Sequence, residues 1–129
     1  MKATILIIDT NNKGDIQYQN VYTFDQEFLT AEALIKDRVC QEIEVYNQLK
    51  PSYFTGLVQP FIPKKNQTKK LPKRLEYERF YTVALTAFQN NTLSILVDDD
   101  PVTSLDMEIP LLQVREIAFW KYVPLVIGN

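Results

Sequence analysis

The sequence predicts a single α+β domain in which helices pack on one face of a mixed sheet of four to five strands. It has 129 residues, of which 46% are hydrophobic and 23% charged, as is typical of one globular domain with its own core. Runs rich in β-branched residues stand near both ends of the chain, and two stretches with helical spacing lie between them. The element order is strand, strand, helix, loop, helix, strand, turn or short strand, and strand.

The first two strands are predicted to form an antiparallel hairpin. Residues 4–9 are mostly β-branched, residues 9–15 are a dense turn signal that contains Gly14, and residues 16–24 alternate as a second strand. Two strands joined by one polar loop pair with each other.

The first helix is predicted over residues 31–48. Thr30 can cap its start, and Glu32 suits the positive end of the helix dipole. Apolar residues then recur at helical spacing up to the stop signal at Pro51. Cys40 lies beside that apolar stripe and is interpreted as a small core residue.

A long loop over residues 49–72 and a second helix over residues 73–90 are predicted to follow. The loop holds four of the seven prolines, and aromatic residues within 53–62 are expected to hold it against the body of the protein. The helix presents one apolar face to the core, made of Tyr77, Phe80, Tyr81, Ala84, Ala87 and Phe88.

The remaining strands are predicted over residues 92–97 and 116–123, with a turn or short strand over 102–110. Between them Asp98, Asp99 and Asp100 form a run of three carboxylates. Neighbouring side chains of an extended chain point to opposite faces, and the run lacks the glycine and glutamate of an EF-hand loop. It is therefore interpreted as a solvated turn, and no metal site is predicted.

Composition excludes several classes of enzyme. The chain has no histidine, one cysteine and three glycines. It therefore lacks the residues for Ser-His or Cys-His catalysis, for zinc or iron–sulfur cages and for a glycine-rich phosphate loop. A protein without enzymatic activity and without a cofactor is expected.

The unpaired cysteine and the short apolar runs predict a cytoplasmic protein. Free thiols are typical of reducing compartments. The first apolar run spans only four residues before Asp9, which is too short for a signal peptide or a membrane span. No contact with a membrane is expected.

The order of hairpin, helix, two further strands and a short apolar tail resembles the ubiquitin-like β-grasp fold. The resemblance covers residues 1–48 and 92–128, so residues 49–91 would be an insertion. The segments 29–35, 56–60 and 123–128 are also similar to parts of small uncharacterised bacterial proteins that end in a Val-Pro-Leu-Val-Gly-Gly-like tail.

This resemblance implies a protein that acts by binding another protein through an open sheet face and an exposed C-terminal tail. The identity of the partner does not follow from the sequence. Aromatic and apolar residues are enriched at the centres of such interfaces. The residues expected to contact the partner are Trp120, Tyr122, Leu125 and Ile127.

The same resemblance leaves a second function open, that of a covalent modifier or sulfur carrier served by an adenylating enzyme. Such proteins are activated at a terminal glycine, which here would be Gly128 after removal of Asn129. Ile127 stands where these proteins have another glycine, and its branched side chain would crowd the approach.

A third hypothesis, nucleic-acid binding, rests on a basic stretch. Positive charge attracts phosphates, but this stretch has no aromatic residues on which bases could stack. A solvated loop is the preferred interpretation. The stretch consists of Lys64, Lys65, Lys69, Lys70, Lys73 and Arg74.

Overall fold

Two helices lie on one face of a five-stranded mixed sheet in the computed structural model of the chain, which describes residues 2–61 and 70–128. The predicted α+β class and the mixed sheet are confirmed. A second, two-stranded sheet lies beside the first.

The predicted hairpin is confirmed. Strands β1 (Ala3–Thr10) and β2 (Ile16–Phe24) pair antiparallel. Their turn is held by the Asn11 side chain, whose Oδ1 accepts hydrogen bonds from the backbone N–H groups of Lys13 and Asp15 at 2.9 and 3.0 Å. Gly14 adopts a φ of 86°, a conformation that favours glycine.

The first helix is also confirmed, as α1 (Ala31–Leu49). The Thr30 hydroxyl accepts a hydrogen bond from the Ala33 N–H at 3.1 Å and caps the start. Lys50 ends the helix in the left-handed conformation, and its N–H donates to the Tyr46 carbonyl at 2.7 Å. Pro51 follows directly and prevents any continuation.

The second helix begins four residues later than predicted, as α2 (Tyr77–Gln89). The reason is a clamp from α1. The Asn47 side chain accepts a hydrogen bond from the Leu75 N–H at 2.9 Å and donates one to the Leu75 carbonyl at 3.0 Å. These bonds engage backbone groups of Leu75 outside any helix and seat its side chain in the core, where it is 4% exposed.

The predicted apolar face of α2 is correct except at its first residue. Phe80, Ala84 and Ala87 are buried, whereas Tyr77 is 52% exposed and is not a core residue. The described part of the loop after α1 is held against the body, only in part by aromatic residues as predicted: Phe54 packs against Tyr46 and Phe80, whereas Tyr53 is 68% exposed. The buried anchors are Leu57 and Val58, at most 1% exposed.

Three further strands complete the large sheet: β4 (Leu93–Val97), β5 (Asp100–Pro101) and β7 (Glu116–Lys121). The strand order is β2-β1-β7-β4-β5. The central strands β1 and β7 are parallel, and all other neighbours are antiparallel. The last strand ends two residues before the predicted boundary.

The small sheet was not foreseen as a pair. It joins β3 (Phe28–Thr30) to β6 (Glu108–Pro110), which falls in the region interpreted as a turn or short strand, and a 3-10 turn over Leu111–Gln113 follows. Each strand has only three residues, too few for period-two alternation to identify.

The hydrophobic core lies between the large sheet and the helices. Alternate residues of β1, β4 and β7 point into it, and they meet the apolar stripe of α1. The contributors from the sheet that are at most 1% exposed are Ile5, Ile7, Phe24, Leu93, Ile95, Ile117 and Phe119.

Candidate functional site

The sheet has a second face that neither helix covers. Residues paired across neighbouring strands share a face, and Leu6 pairs with Val21, Ile8 with Ala118 and Leu96 with Ala118. Along each strand these side chains alternate with those that face the helices, so they point away from the helices, and among them Ile8 is only 9% exposed. We call this surface the open sheet face; its apolar members are Leu6, Ile8, Val21, Leu96, Ala118 and Trp120.

Trp120 lies near the end of the open sheet face beside the first hairpin turn. A Cβ placed on Gly14 would stand 3.4 Å from Cη2 of the Trp120 ring, so the ring packs over this glycine. Trp120 is half-buried and Val21 is 56% exposed. Polar residues border the apolar strip, among them the neutral Thr4, Gln19 and Ser94 and the charged Glu116, which pairs with Leu6.

The other residues predicted to contact a partner are dispersed. Tyr122 follows β7 and is 42% exposed. Leu125 is 5% exposed and belongs to the core, which corrects the expectation that its side chain lies on an exposed tail. Ile127 is partly buried against the same core.

The segment after β7 is docked on the chain by backbone hydrogen bonds. The Gln59 N–H donates to the Leu125 carbonyl at 2.8 Å, and the Ile127 N–H donates back to the Gln59 carbonyl at 2.9 Å. Gly128, the proposed attachment residue of a modifier, donates its N–H to the Pro60 carbonyl at 3.2 Å. Residues 125–128 therefore pair with residues 59–60 as a short parallel ladder.

Only part of the basic stretch can be placed. Lys64, Lys65 and Lys69 lie outside the described residues, whereas Lys70, Lys73 and Arg74 are exposed. Near them the Tyr46 hydroxyl donates a hydrogen bond to the Pro72 carbonyl at 2.5 Å, which ties this stretch to α1.

The core also contains a buried ionic network, which the sequence analysis did not identify. Arg38, 0% exposed, donates to both carboxylate oxygens of Asp9 at 2.6 Å. Its Nε donates to Glu42 at 3.0 Å, and the Tyr22 hydroxyl donates to the same Glu42 oxygen. The second Glu42 oxygen accepts the Leu57 N–H at 3.0 Å.

Aromatic rings enclose the guanidinium of this network. Its central carbon lies 4.6 Å from the centre of the Phe119 ring and 5.5 Å from that of Tyr22. Burial acts to lower the pKa of Arg38, but the carboxylates of Glu42 and Asp9 outweigh it and hold the pKa above its usual range. Arg38 therefore stays charged, and the network ties β1, β2, α1 and residue 57 together.

Two further groups near the network have shifted pKa values. Burial raises the pKa of Tyr22, and the neighbouring Glu42 carboxylate adds to that rise. Burial lowers the pKa of Lys121, which lies on the same side of the sheet. Cys40 is only partly buried and does not belong to the core, which corrects its interpretation as a core residue. Burial and then the acidic residues Asp37 and Glu44 raise the pKa of Cys40, which keeps its thiol protonated and weakly nucleophilic.

Sequence reasoning had a signal for this network and did not use it. Asp9 continues the alternation of the inward-facing Ile5 and Ile7, and Arg38 and Glu42 stand one helical turn apart beside the apolar stripe of α1. A buried charge needs a partner of opposite charge, so a carboxylate that points inward from β1 indicates a cation that points inward from α1.

Of the three adjacent aspartates, Asp98 and Asp99 form a turn, and Asp100 begins strand β5. Asp98 and Asp99 have φ values of 47° and 70°, which form a two-residue hairpin turn between β4 and β5. The Asp98 carboxylate accepts the backbone N–H groups of Arg115 and Glu116 at 3.0–3.2 Å. Among the described residues, no group of three or more potential ligands is placed to hold a metal ion.

No helix in the described part of the chain combines the length and apolar character needed to cross a membrane. Comparison of the chain with models of known protein families, with curated proteins and with solved structures finds no match.

Proposed function

We propose that this chain is a non-enzymatic protein-interaction module of the ubiquitin-like β-grasp type, which binds a partner protein through its open sheet face. The observation that carries the proposal is the continuous apolar strip from Val21 to Trp120 across strands β2, β1 and β7. Contiguous apolar surface bordered by polar residues is typical of protein-binding sites.

The topology supports the β-grasp assignment. A first hairpin, a helix that follows it and a last strand parallel to the first are the arrangement that the resemblance implies. Among the described residues of 49–91, α2 and the buried Leu57 and Val58 enlarge the helical side of the sheet.

The polar groups of the buried network support a structural role and not a catalytic one. Both oxygens of Glu42 and both oxygens of Asp9 accept hydrogen bonds from within the protein. A carboxylate engaged in this way is a poor general base, since its lone pairs already hold donors.

The docked tail favours this proposal over the covalent-modifier alternative. Activation of Gly128 would require its backbone to leave the ladder with residues 59–60. Intact-mass spectrometry of the protein from its native cells separates the two functions. Unmodified mass is expected, whereas a thiocarboxylate or a higher-mass conjugate would establish the modifier.

Site-specific photocrosslinking tests the interaction itself. A photoreactive residue replaces the exposed Thr4, which lies on the same face as Leu6, and in a control chain it replaces the exposed Gln48 of α1. We expect crosslinking in native cells to one protein from position 4 that is absent from position 48. Equal crosslinking from both positions, or none, would contradict the proposal.

A further inference from the structure

A groove runs along the outer edge of strand β2, on the helix side of the sheet. It has a volume of about 330 Å³ and is bounded by β2, by the second half of α1 and by residues 51–56. Val45 and Tyr53 on its rim are 54% and 68% exposed. Its floor reaches Tyr22 and Glu42 of the buried network.

Strand β2 is an edge strand whose outward backbone groups lack a neighbouring strand. The Leu6 N–H donates to the Arg115 carbonyl, away from β2, so the Leu6–Val21 pair is not hydrogen-bonded. By alternation Gln19, Val21 and Thr23 point their backbone N–H and carbonyl groups outward.

Side chains occupy two of these outward groups. The Val21 N–H donates to Oδ1 of Asn20 at 2.9 Å, and the Thr23 carbonyl accepts from Nε2 of Gln41 at 2.9 Å. In the described part of the chain, no hydrogen bond engages the outward groups of Gln19. An incoming strand can replace these two side-chain hydrogen bonds, because the displaced amide groups of Asn20 and Gln41 can then hydrogen-bond to water.

The charged side chains described beside the groove are acidic. Among the described residues its lining contains no lysine or arginine, and the carboxylate of Glu42 is already paired with Arg38. Asp37 accepts a hydrogen bond from Gln41 at 2.8 Å and so stands beside the Thr23 end of the edge. Glu44 is exposed on the same side of α1, about two turns after Asp37.

We propose that this groove binds an extended peptide segment of a partner protein, which pairs with β2 as a sixth strand of the sheet. One apolar side chain of the peptide packs between Val45 and Tyr53, and a basic side chain near Thr23 meets Asp37. Strand addition of this kind takes its affinity from main-chain hydrogen bonds and its specificity from alternate side chains. The inference rests on the proposed protein-binding function and specifies the class of partner.

The peptide would also extend the open sheet face. Its alternate side chains point to opposite sides of the sheet, so those that do not enter the groove would lie beside Val21. One extended segment could therefore use the groove while the rest of the partner covers the apolar strip.

Selection from a phage library of random dodecapeptides on the full chain identifies probes for the test. We expect enriched peptides with alternating apolar residues and a basic residue, whose binding shifts the amide resonances of Gln19, Val21, Thr23 and Val45. No enrichment, or shifts confined to residues around Leu96 and Trp120, would overturn the proposal.

A matched pair of variants tests the role of the backbone. Val21→Pro removes the outward N–H without breaking a bond to β1, and edge strands tolerate proline, whereas Val21→Thr keeps the N–H. The selected peptides should bind Val21→Pro about tenfold more weakly than Val21→Thr, because both variants lose the valine side chain and only the proline variant loses the N–H. If Val21→Pro does not fold, N-methylation of the peptide at the paired position supplies the same test. Equal affinity in either comparison contradicts strand addition.

Two further outcomes separate the alternatives. Asp37→Asn should weaken binding of the basic peptides about threefold and leave neutral peptides unaffected. Sedimentation of the wild-type chain distinguishes a second copy as the occupant, since a concentration-dependent dimer abolished by Val21→Pro would overturn the peptide assignment. Crosslinking from Thr4 without any peptide binding would refute this inference alone and leave the proposed function standing.

Discussion

Arg38 and Asp9 face each other across the core as a bidentate ion pair, with both nitrogen–oxygen distances at 2.6 Å. Neither side chain is more than 1% exposed. The pair joins helix α1 to the end of strand β1, and Glu42 and Tyr22 extend it to strand β2. Because the charges are buried, each depends on the other for compensation.

Arg38→Met should therefore destabilise the fold strongly. It leaves the carboxylates of Asp9 and Glu42 in the core without their cation, and we expect the free energy of unfolding to fall by about 3–5 kcal/mol in urea denaturation. Lys36→Met is the matched control on the same helix, since its pair with Glu32 is exposed and should contribute under about 0.5 kcal/mol. A similar, small effect of both changes would show that the network is not a stabilising anchor.

The raised pKa of Tyr22 predicts a loss of stability at high pH. In the folded protein Tyr22 keeps its proton above pH 10, whereas an unfolded tyrosine loses it at about pH 10. The unfolded state then binds fewer protons than the folded state, so the free energy of unfolding falls as pH rises through this range. Below about pH 10 both states are protonated and the contribution of Tyr22 is constant.

Tyr22→Phe isolates this effect. At neutral pH the variant should be about 1–2 kcal/mol less stable because Glu42 loses a hydrogen bond, but its stability should decline less steeply than that of the wild type above about pH 10. Urea denaturation at several pH values measures both slopes. Tyr53→Phe, at a residue 68% exposed, is the control. Parallel slopes for wild type and Tyr22→Phe would be inconsistent with a raised pKa.

The clamp of Asn47 on Leu75 predicts a smaller, local effect. Asn47→Ala removes both hydrogen bonds to the Leu75 backbone and should cost about 1–3 kcal/mol. Asn47→Asp keeps the acceptor and loses the donor, so it should be intermediate. Amide exchange of Leu75 should accelerate in the alanine variant. Unchanged exchange would mean that core packing alone holds this segment.

The boundary of α2 shows where sequence reasoning reached its limit. Strands β1 and β2 and helix α1 are marked by local patterns: β-branched runs, a glycine turn, the Thr30 cap and Pro51. The start of α2 depends instead on Asn47, 28 residues before Leu75 in the chain, and a pattern within a short window cannot report such a contact.

The candidate site was predictable to a similar degree. Trp120 and Tyr122 are expected at a contact surface because aromatic residues in a last strand favour one, and both retain exposed area. Leu125 is core because the tail turns back onto residues 59–60, a tertiary pairing without a local signal. The groove beside β2 could not be predicted from local sequence patterns either, since its walls come from three separate segments.

Gly14 offers a test of the packing of Trp120. Gly14→Ala places a Cβ 3.4 Å from the ring at a φ of 86°, so it should cost about 1 kcal/mol and shift the fluorescence of the single tryptophan. Gly128→Ala is the control, because nothing lies within 4 Å of the added Cβ. An unchanged spectrum in Gly14→Ala would place the ring elsewhere.

The docking of residues 125–128 on residues 59–60 predicts slow amide exchange in this segment. The Ile127 N–H is hydrogen-bonded to Gln59 and the Leu125 side chain is buried, so the amide of Ile127 should exchange slowly while that of the exposed Tyr53 exchanges fast. Leu125→Ala should cost about 2–4 kcal/mol and release that protection. Fast exchange of Ile127 in the wild type would mean that the tail is free and would restore the case for a modifier.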